Sequence, residues 1–283
     1  MSRRQILSIS VVGADRTGVV AATTKFLFEM GANIEALEEQ VTRGEFSMAI
    51  QASWSGSDWN PGPVKKGLKK LGADLGRDIR VREYAPDAAQ RFAIFVSKED
   101  HAIKGILEAV AKKQIKALPV VVISNHESLR PIAKKAQIPF RYVDWRQRQE
   151  AEVKCLKLTE EFEVDFVVLA RFMKILSPHF VWYFKNKIIN IHPSLLPSFP
   201  GPQAYRQAYE HGVKIAGVTA HFVNMHLDEG PIIAQSSFDV KRGMSLMDIV
   251  KTGQQHETKT LVKAIKLYLS RRLDVHWGTV KEV

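Results

Sequence analysis

Apolar and polar residues alternate over Gln5 to Val12, which reads as a strand. The pattern then changes to helical spacing, with Val19, Val20, Thr23, Phe26, Leu27 and Met30 on one face. Ala14-Asp15-Arg16-Thr17-Gly18 lies between them as a turn, and Gly31 is placed to cap the helix. Asn33 to Thr42 and Glu45 to Ser53 predict two strands joined by an Arg43-Gly44 hairpin turn. Pro61-Gly62-Pro63 precedes a basic helix over Val64 to Leu71, and Ile79 to Glu83 predicts a short closing strand. Strand, helix, strand, strand, helix, strand is the split βαβ plan, a small sheet with two helices on one face.

Ala85 to Gln90 reads as a short polar linker, so the pattern divides the chain into domains of residues 1–84 and 91–283. Beyond the linker, strands and helices alternate. Strands are predicted over Arg91 to Val96, Val120 to Ser124, Pro139 to Tyr142, Asp165 to Ala170 and Lys187 to Ile191. Helices are predicted over His101 to Lys112, Ser128 to Ala136 with Pro131 in its first turn, and from an N-cap at Asp144 to Glu161. Ile215 to Val223 and Ile232 to Val240 read as antiparallel strands, and Leu246 to Leu273 is largely helical. The class is α/β with an open, mostly parallel sheet.

Composition narrows the function classes. Of 283 residues, 45% are apolar and 25% charged, which are globular proportions. A single cysteine, Cys155, excludes an intramolecular disulfide and a multi-cysteine zinc site, and no His-Glu-x-x-His pattern supports a catalytic metal. Apolar runs such as Phe166 to Ala170 are too short to cross a bilayer, and Met1-Ser2-Arg3-Arg4 leads straight into a strand pattern without a signal peptide. A soluble cytoplasmic protein without membrane partners is expected. Net charge is +11, unevenly spread: residues 1–85 carry 12 basic and 10 acidic side chains, and residues 86–283 carry 29 and 20. The second domain's field belongs either to a solvated basic surface or to a site for anions. No block of five like charges and no interleaving of bases with aromatics points to nucleic acid, so a small anionic substrate fits better.

Two stretches carry candidate chemistry. In Ile189-Asn190-Ile191-His192-Pro193-Ser194-Leu195-Leu196-Pro197 an apolar strand ends with an amide and an imidazole two residues apart. Residues i and i+2 share a face, and ligands of open α/β sheets bind outside the strands' carboxyl ends. The pair serves either to bond its own loop or to act on a carbonyl substrate, the amide on a developing oxyanion and the imidazole on a proton. In Val218 to Ile233, two strands flank a loop holding Asp228, with Gly230-Pro231 behind it. Asp228 is either a turn residue or the partner that orients His192. His126, at a strand end, borders an acceptor side of the site or is incidental; His221 faces the rear of the pocket or packs in the core. Ser194 is expected to bond its loop, His256 and Glu257 to have a surface or interdomain role, and Cys155 to be a buried small hydrophobe.

Together, Asn-x-His-Pro-Ser-Leu-Leu-Pro and, about 30 residues on, His-x-Val-x4-Asp-x-Gly-Pro-Ile-Ile resemble the formyltransferase family that uses 10-formyltetrahydrofolate, over roughly Arg91 to Leu273. The resemblance implies a Rossmann-like domain and catalytic roles for Asn190, His192 and Asp228. Leu169-Ala170-Arg171-Phe172-Met173-Lys174-Ile175-Leu176 looks like the family's folate loop. The resemblance thus implies a folate site formed by Leu169, Arg171, Phe172, Met173, Leu176, Val223 and Asn224, although helical spacing alone also allows core packing for Phe172, Met173 and Leu176. Residues 1–84 resemble an ACT domain, a ferredoxin-like βαββαβ unit, with Asp15-Arg16-x-Gly18 and Gly31-Ala32-Asn33-Ile34. That implies an amino-acid effector site at Asp15, Arg16, Gly18 and Asn33, or oligomerisation alone, and a homo-oligomer, dimer or tetramer. The pairing of the two is similar to the formyltetrahydrofolate deformylases. Glycinamide ribonucleotide formyltransferases place a glycine-rich phosphate loop after the first strand, where Phe95-Val96-Ser97-Lys98-Glu99-Asp100-His101 has no glycine, and Glu99 and Asp100 would repel phosphate. Methionyl-tRNA formyltransferases add a barrel for which this sequence has no room. The resemblance implies 10-formyltetrahydrofolate as substrate, no permanently bound cofactor, and release of formate for purine synthesis and the balance of one-carbon folate pools; the alternatives are formyl transfer to a non-phosphorylated amine acceptor and a non-catalytic protein that senses folate or an amino acid.

Overall fold

The computed structural model describes residues 5–42, 44–55, 59–84, 89–276 and 278–282. Met1–Arg4, Arg43 of the predicted hairpin turn and residues 85–88 of the predicted linker lie outside them. The chain clusters into two compact units, Met1–Ala88 with Pro178–Lys185, and Ala89–Ser177 with Asn186–Val283.

The chain begins with β1 (Gln5–Ala14), α1 (Val19–Glu29), β2 (Asn33–Thr42), β3 (Glu45–Trp54), α2 (Pro61–Leu75) and β4 (Asp78–Tyr84). It continues with β5 (Arg91–Val96), α3 (His101–Ala111), β6 (Leu118–Ser124), α4 (Arg130–Lys135), β7 (Phe140–Tyr142), α5 (Arg148–Glu161) and β8 (Phe166–Ala170). Then follow α6 (Pro178–Tyr183), β9 (Ile188–His192), α7 (Ala204–Glu210), β10 (Ile215–Phe222), β11 (Ile232–Asp239), α8 (Leu246–Leu269), β12 (Leu273–His276) and β13 (Thr279–Glu282).

In the first unit an antiparallel sheet runs β2-β3-β1-β4. Alternate residues Leu7, Ile9 and Val11 of β1 and Met48, Ile50 and Ala52 of β3 meet Val19 and Leu27 of α1 and Val64 and Leu68 of α2 in one core. Gly18 opens α1 in a left-handed conformation (φ 88°), which a side chain would resist. α2 begins at Pro61, not Val64: the Asn60 side chain accepts from Gly62 N at 2.8 Å, and proline costs nothing in a first turn whose N–H groups lack helical partners. α6 belongs to this unit although strand and helix alternation places it in the second; it packs on β1 and β3.

The second unit holds a seven-stranded sheet ordered β11-β10-β9-β8-β5-β6-β7. The run from β9 to β7 is parallel, and β10 and β11 are antiparallel additions. β5 and β8 are buried almost throughout, as strands covered on both faces must be. Chain order reverses between β5 and β8, since β6 and β7 extend the sheet one way and β8 and β9 the other. That switch point opens a crevice above the strands' carboxyl ends. α8 starts with a capping box between Ser245 and Asp248 and packs on α3, β9, β10 and β11.

Other predicted bounds differ as well. α5 starts at Arg148 because Asp144 instead holds a turn, accepting from Arg146 N at 2.9 Å. The last helix stops at Leu269, and a β12–β13 hairpin follows. Two short helices, α6 and α7, interrupt stretches without a clear period. Cys155 is buried, and burial beside the Glu152 charge pushes its thiol up to about 12, so it is inert at neutral pH. No described helix is long and apolar enough to cross a membrane.

Candidate active site

A cavity of about 570 Å³ opens in the second unit. Leu169, Arg171, Phe172, Met173, Leu176, Val223 and Asn224 all line it, together with Asn190, His192 and Asp228. β9 delivers Asn190 and His192 to one side, as period two requires. Its antiparallel neighbour β10 sets Thr219 opposite His192 and His221 opposite Asn190.

The loop after β9 is held rigid through Thr219. The Thr219 hydroxyl donates to Ser194 O at 2.7 Å and accepts from Leu196 N at 3.0 Å and from Gln235 Nε2 at 2.9 Å. Ser194 donates to Ser198 O at 2.5 Å, the loop bond expected of it. This fixes Phe199 and Gly201 over the strand end. His192 Nε2 lies 2.9 Å from Phe199 O, and Nδ1 lies 3.2 Å from Asp228 Oδ2. Both ring nitrogens therefore face acceptors. Asp228 Oδ2 also accepts from Gly201 N at 2.8 Å, and Asp228 adopts a left-handed backbone (φ 57°) that Asp tolerates better than most residues. Asn224 holds that loop from within, its amide bonding Glu229 O and His226 N. Gly230 is needed for close approach, because a Cβ there would stand 1.7 Å from Phe222 O.

His221 is buried and in contact with the chemistry. Nδ1–H donates to Phe222 O at 2.8 Å, which leaves Nε2 as a bare acceptor for Asn190 Nδ2 at 3.2 Å. This assigns the Asn190 amide, with nitrogen toward His221 and its second hydrogen unused by that bond. Burial is the main cause that holds His221 below the ordinary 6.5, outweighing the Phe222 bond and the Asp228 charge, so it is neutral at pH 7. The alternatives of pocket rear and core are both met. The link to Asn190 is invisible in the sequence because it depends on cross-strand register.

The segment from Arg171 to Leu176 follows β8, with Met173 57% and Ile175 60% exposed, and these side chains line the cavity. Met173 N donates to Ser97 Oγ at 3.0 Å, which ties the loop to the end of β5. Phe172 instead packs edge-on against Phe95 and Trp145. His126 does not line this cavity. Glu257, expected in a surface or interdomain role, is instead fully buried within the second unit: Tyr205 OH donates to it at 2.8 Å, His101 Nε2 lies 3.1 Å away and Arg171 Nε 3.5 Å away. In the other unit, Gly18 caps α1 near exposed Asp15 and Arg16, and Asn33 donates to Glu35 at 2.9 Å. Among the described residues no cluster of three or more His, Cys, Asp or Glu is arranged to hold a metal.

A βαββαβ unit joined to an open parallel sheet with Asn190, His192 and Asp228 at its strand ends defines an ACT domain linked to a formyltransferase domain. Family models agree, "ACT domain" matching residues 5–82 and "Formyl transferase" residues 90–265. The formyltetrahydrofolate deformylase of Bacillus subtilis (strain 168) is 37% identical over 267 residues, covering 93% of this chain and 88% of that one. The crystal structure of a formyltetrahydrofolate deformylase from Pseudomonas syringae pv. tomato superposes with a TM-score of 0.67 at 28% identity, over 98% of this chain and 94% of that one. Glycinamide ribonucleotide transformylase 1 from Symbiobacterium toebii, with TM-score 0.67 and 32% identity, matches 69% of this chain and 94% of its own. The chain belongs to the formyltetrahydrofolate deformylase family.

Proposed function

We propose that the protein hydrolyses 10-formyltetrahydrofolate to tetrahydrofolate and formate. The observation that carries this reading is the convergence of Asn190, His192 and Asp228 in one cavity whose other wall is the apolar surface of Phe172 to Leu176. A pterin fits the apolar wall, and the formyl group reaches the polar end. Water attacks the formyl carbon, and the hydrogen on Asn190 Nδ2 that is not given to His221 stabilises the oxyanion. The His192–Asp228 pair takes the proton that water loses and returns it to N10 as the carbon–nitrogen bond breaks. The water oxygen leaves in formate, one of its hydrogens passes to N10 of tetrahydrofolate, and the other is released as a proton when formic acid ionises. The ACT-type unit supports a separate small-molecule role, an amino-acid effector at Asp15, Arg16, Gly18 and Asn33.

The test is formate and tetrahydrofolate production from 10-formyltetrahydrofolate with no amine present. Equal amounts of both are expected, and Asn190→Ala should lower kcat by about 10²–10³-fold, the usual effect of losing an oxyanion donor. Folate binding without formate would overturn the reading.

A further inference from the structure

The switch point of an open α/β sheet is where ligands enter, and here it lies between the carboxyl ends of β5 and β8. An ion pair built from those two ends sits there. Arg171, the first residue after β8, bonds Glu99 beyond β5 through NH2 at 2.9 Å and Nε at 3.3 Å. Its Nε also lies 3.5 Å from buried Glu257 of α8. Gln254 Nε2 reaches Glu99 at 3.5 Å, and Glu99, Arg171, Gln254 and Tyr205 all line the same cavity as the catalytic groups.

Three features set this cluster apart from an incidental surface pair. Arg171 holds a left-handed backbone, φ 62°, a strain that glycine would avoid. Its side chain is only 14% exposed, so the guanidinium is turned onto carboxylates and not left for a ligand. α8 is shaped around the cluster: a Cβ at Gly253 would lie 2.1 Å from the Tyr205 hydroxyl that donates to Glu257. Burial alone would push Glu99 up, but the Arg171 bonds and charge outweigh it and keep the carboxylate ionised. The guanidinium shares Glu99 and Glu257 with the His101 imidazole, which lies 3.7 Å and 3.1 Å from them, and its charge is directed at those carboxylates and not at an anion.

We propose that Glu99, Arg171 and Glu257 form a built-in plug at the switch point of the sheet, in which Glu99 and Arg171 are specificity-determining residues that exclude phosphorylated amines from the cavity. The plug fills the switch point with the chain's own ion pair. Water, which needs no anchor, remains the nucleophile. An amine that gained entry would attack the formyl carbon, the carbon–N10 bond would break, and the amine's proton would pass to N10, giving a formamide and tetrahydrofolate. This rests on the hydrolytic reading above.

The experiment supplies 10-formyltetrahydrofolate with O-phosphoethanolamine or with ethanolamine, and measures formate against N-formylated amine. Wild type, Glu99→Ala and Arg171→Gly are compared, with melting temperatures to establish folding. Wild type should give formate alone. Glu99→Ala removes the partner of both guanidinium hydrogen bonds, and its ratio of formylated phosphoethanolamine to formate should exceed its ratio of formylated ethanolamine to formate by roughly tenfold or more. Arg171→Gly should admit ethanolamine. A merely structural role would lower the melting temperatures without moving either ratio. Folded variants that release formate and keep the wild-type ratios would overturn the plug alone, and absence of formate from wild type would overturn the hydrolytic reading.

Discussion

Asn190 can present one amide hydrogen to an oxyanion only if its flip is fixed, and His221 fixes it by accepting the other. Replacement by phenylalanine keeps the ring and removes the acceptor. His221→Phe should lower kcat by up to about 10²-fold with KM little changed, as small misplacements of a reacting group do, and steady-state kinetics would check it. Acid should act at the same point, because protonated His221 presents N–H to an amide N–H. The stability effect has a definite sign. The folded-state value is lowered from 6.5, so the unfolded chain binds the proton first as pH falls. The His221 contribution is full above pH 6.5 and is lost as pH falls through the lower folded-state value; denaturant unfolding at pH 7.5 and 5.5 should show the loss in wild type and a smaller one in His221→Phe. Asn190 and His192 were legible in the sequence because period two needs only one strand. The His221–Asn190 bond was not, since β9 and β10 had to be registered first. Glu257 was misread because a lone carboxylate on a long helix looks solvated until Arg171, Tyr205 and His101 converge on it from distant segments.

At the scale of elements, the site depends on close approaches that only glycine allows. Gly230→Ala would force Cβ to within 1.7 Å of Phe222 O, the carbonyl that holds His221 Nδ1. Overpacking of this kind costs about 1–3 kcal/mol, so the melting temperature should drop along with kcat. A variant as stable and active as wild type would show that the loop yields without disturbing His221. Several elements were readable: α1 and α3 match their predicted spans closely because each buries a regular face, β5 matches as a short run buried almost throughout, and β2 matches although most of it is exposed. Elements of six or seven residues, α6 and α7, gave no usable period. The β12–β13 hairpin is mostly polar, and its four-residue strands look like the end of a helix.

For the whole molecule, the +11 charge is concentrated beyond residue 85, in the part that carries the cavity. Folates bear one or more glutamates, and a positive field draws such anions more strongly as their charge grows. Reversing exposed lysines of this part to glutamate should raise KM more for polyglutamylated than for monoglutamylated substrate, and added salt should narrow the difference. Equal effects on both would assign the charge to solvation alone. The charge imbalance was plain in the sequence, and the family motifs placed Asp228 near His192. The ion pair at the switch point needed the sheet order, which no local pattern encodes.

The most direct measurement is the origin of the oxygen in the product. Wild-type protein and 10-formyltetrahydrofolate, with no amine, would be combined in water enriched in oxygen-18, and formate analysed by mass spectrometry alongside His192→Ala. Attack by water predicts one labelled oxygen per formate formed, at a rate that falls by about 10²–10⁴-fold in the variant, the range for loss of an acid–base group. Unlabelled formate, or a rate indifferent to His192, would contradict hydrolysis at this site.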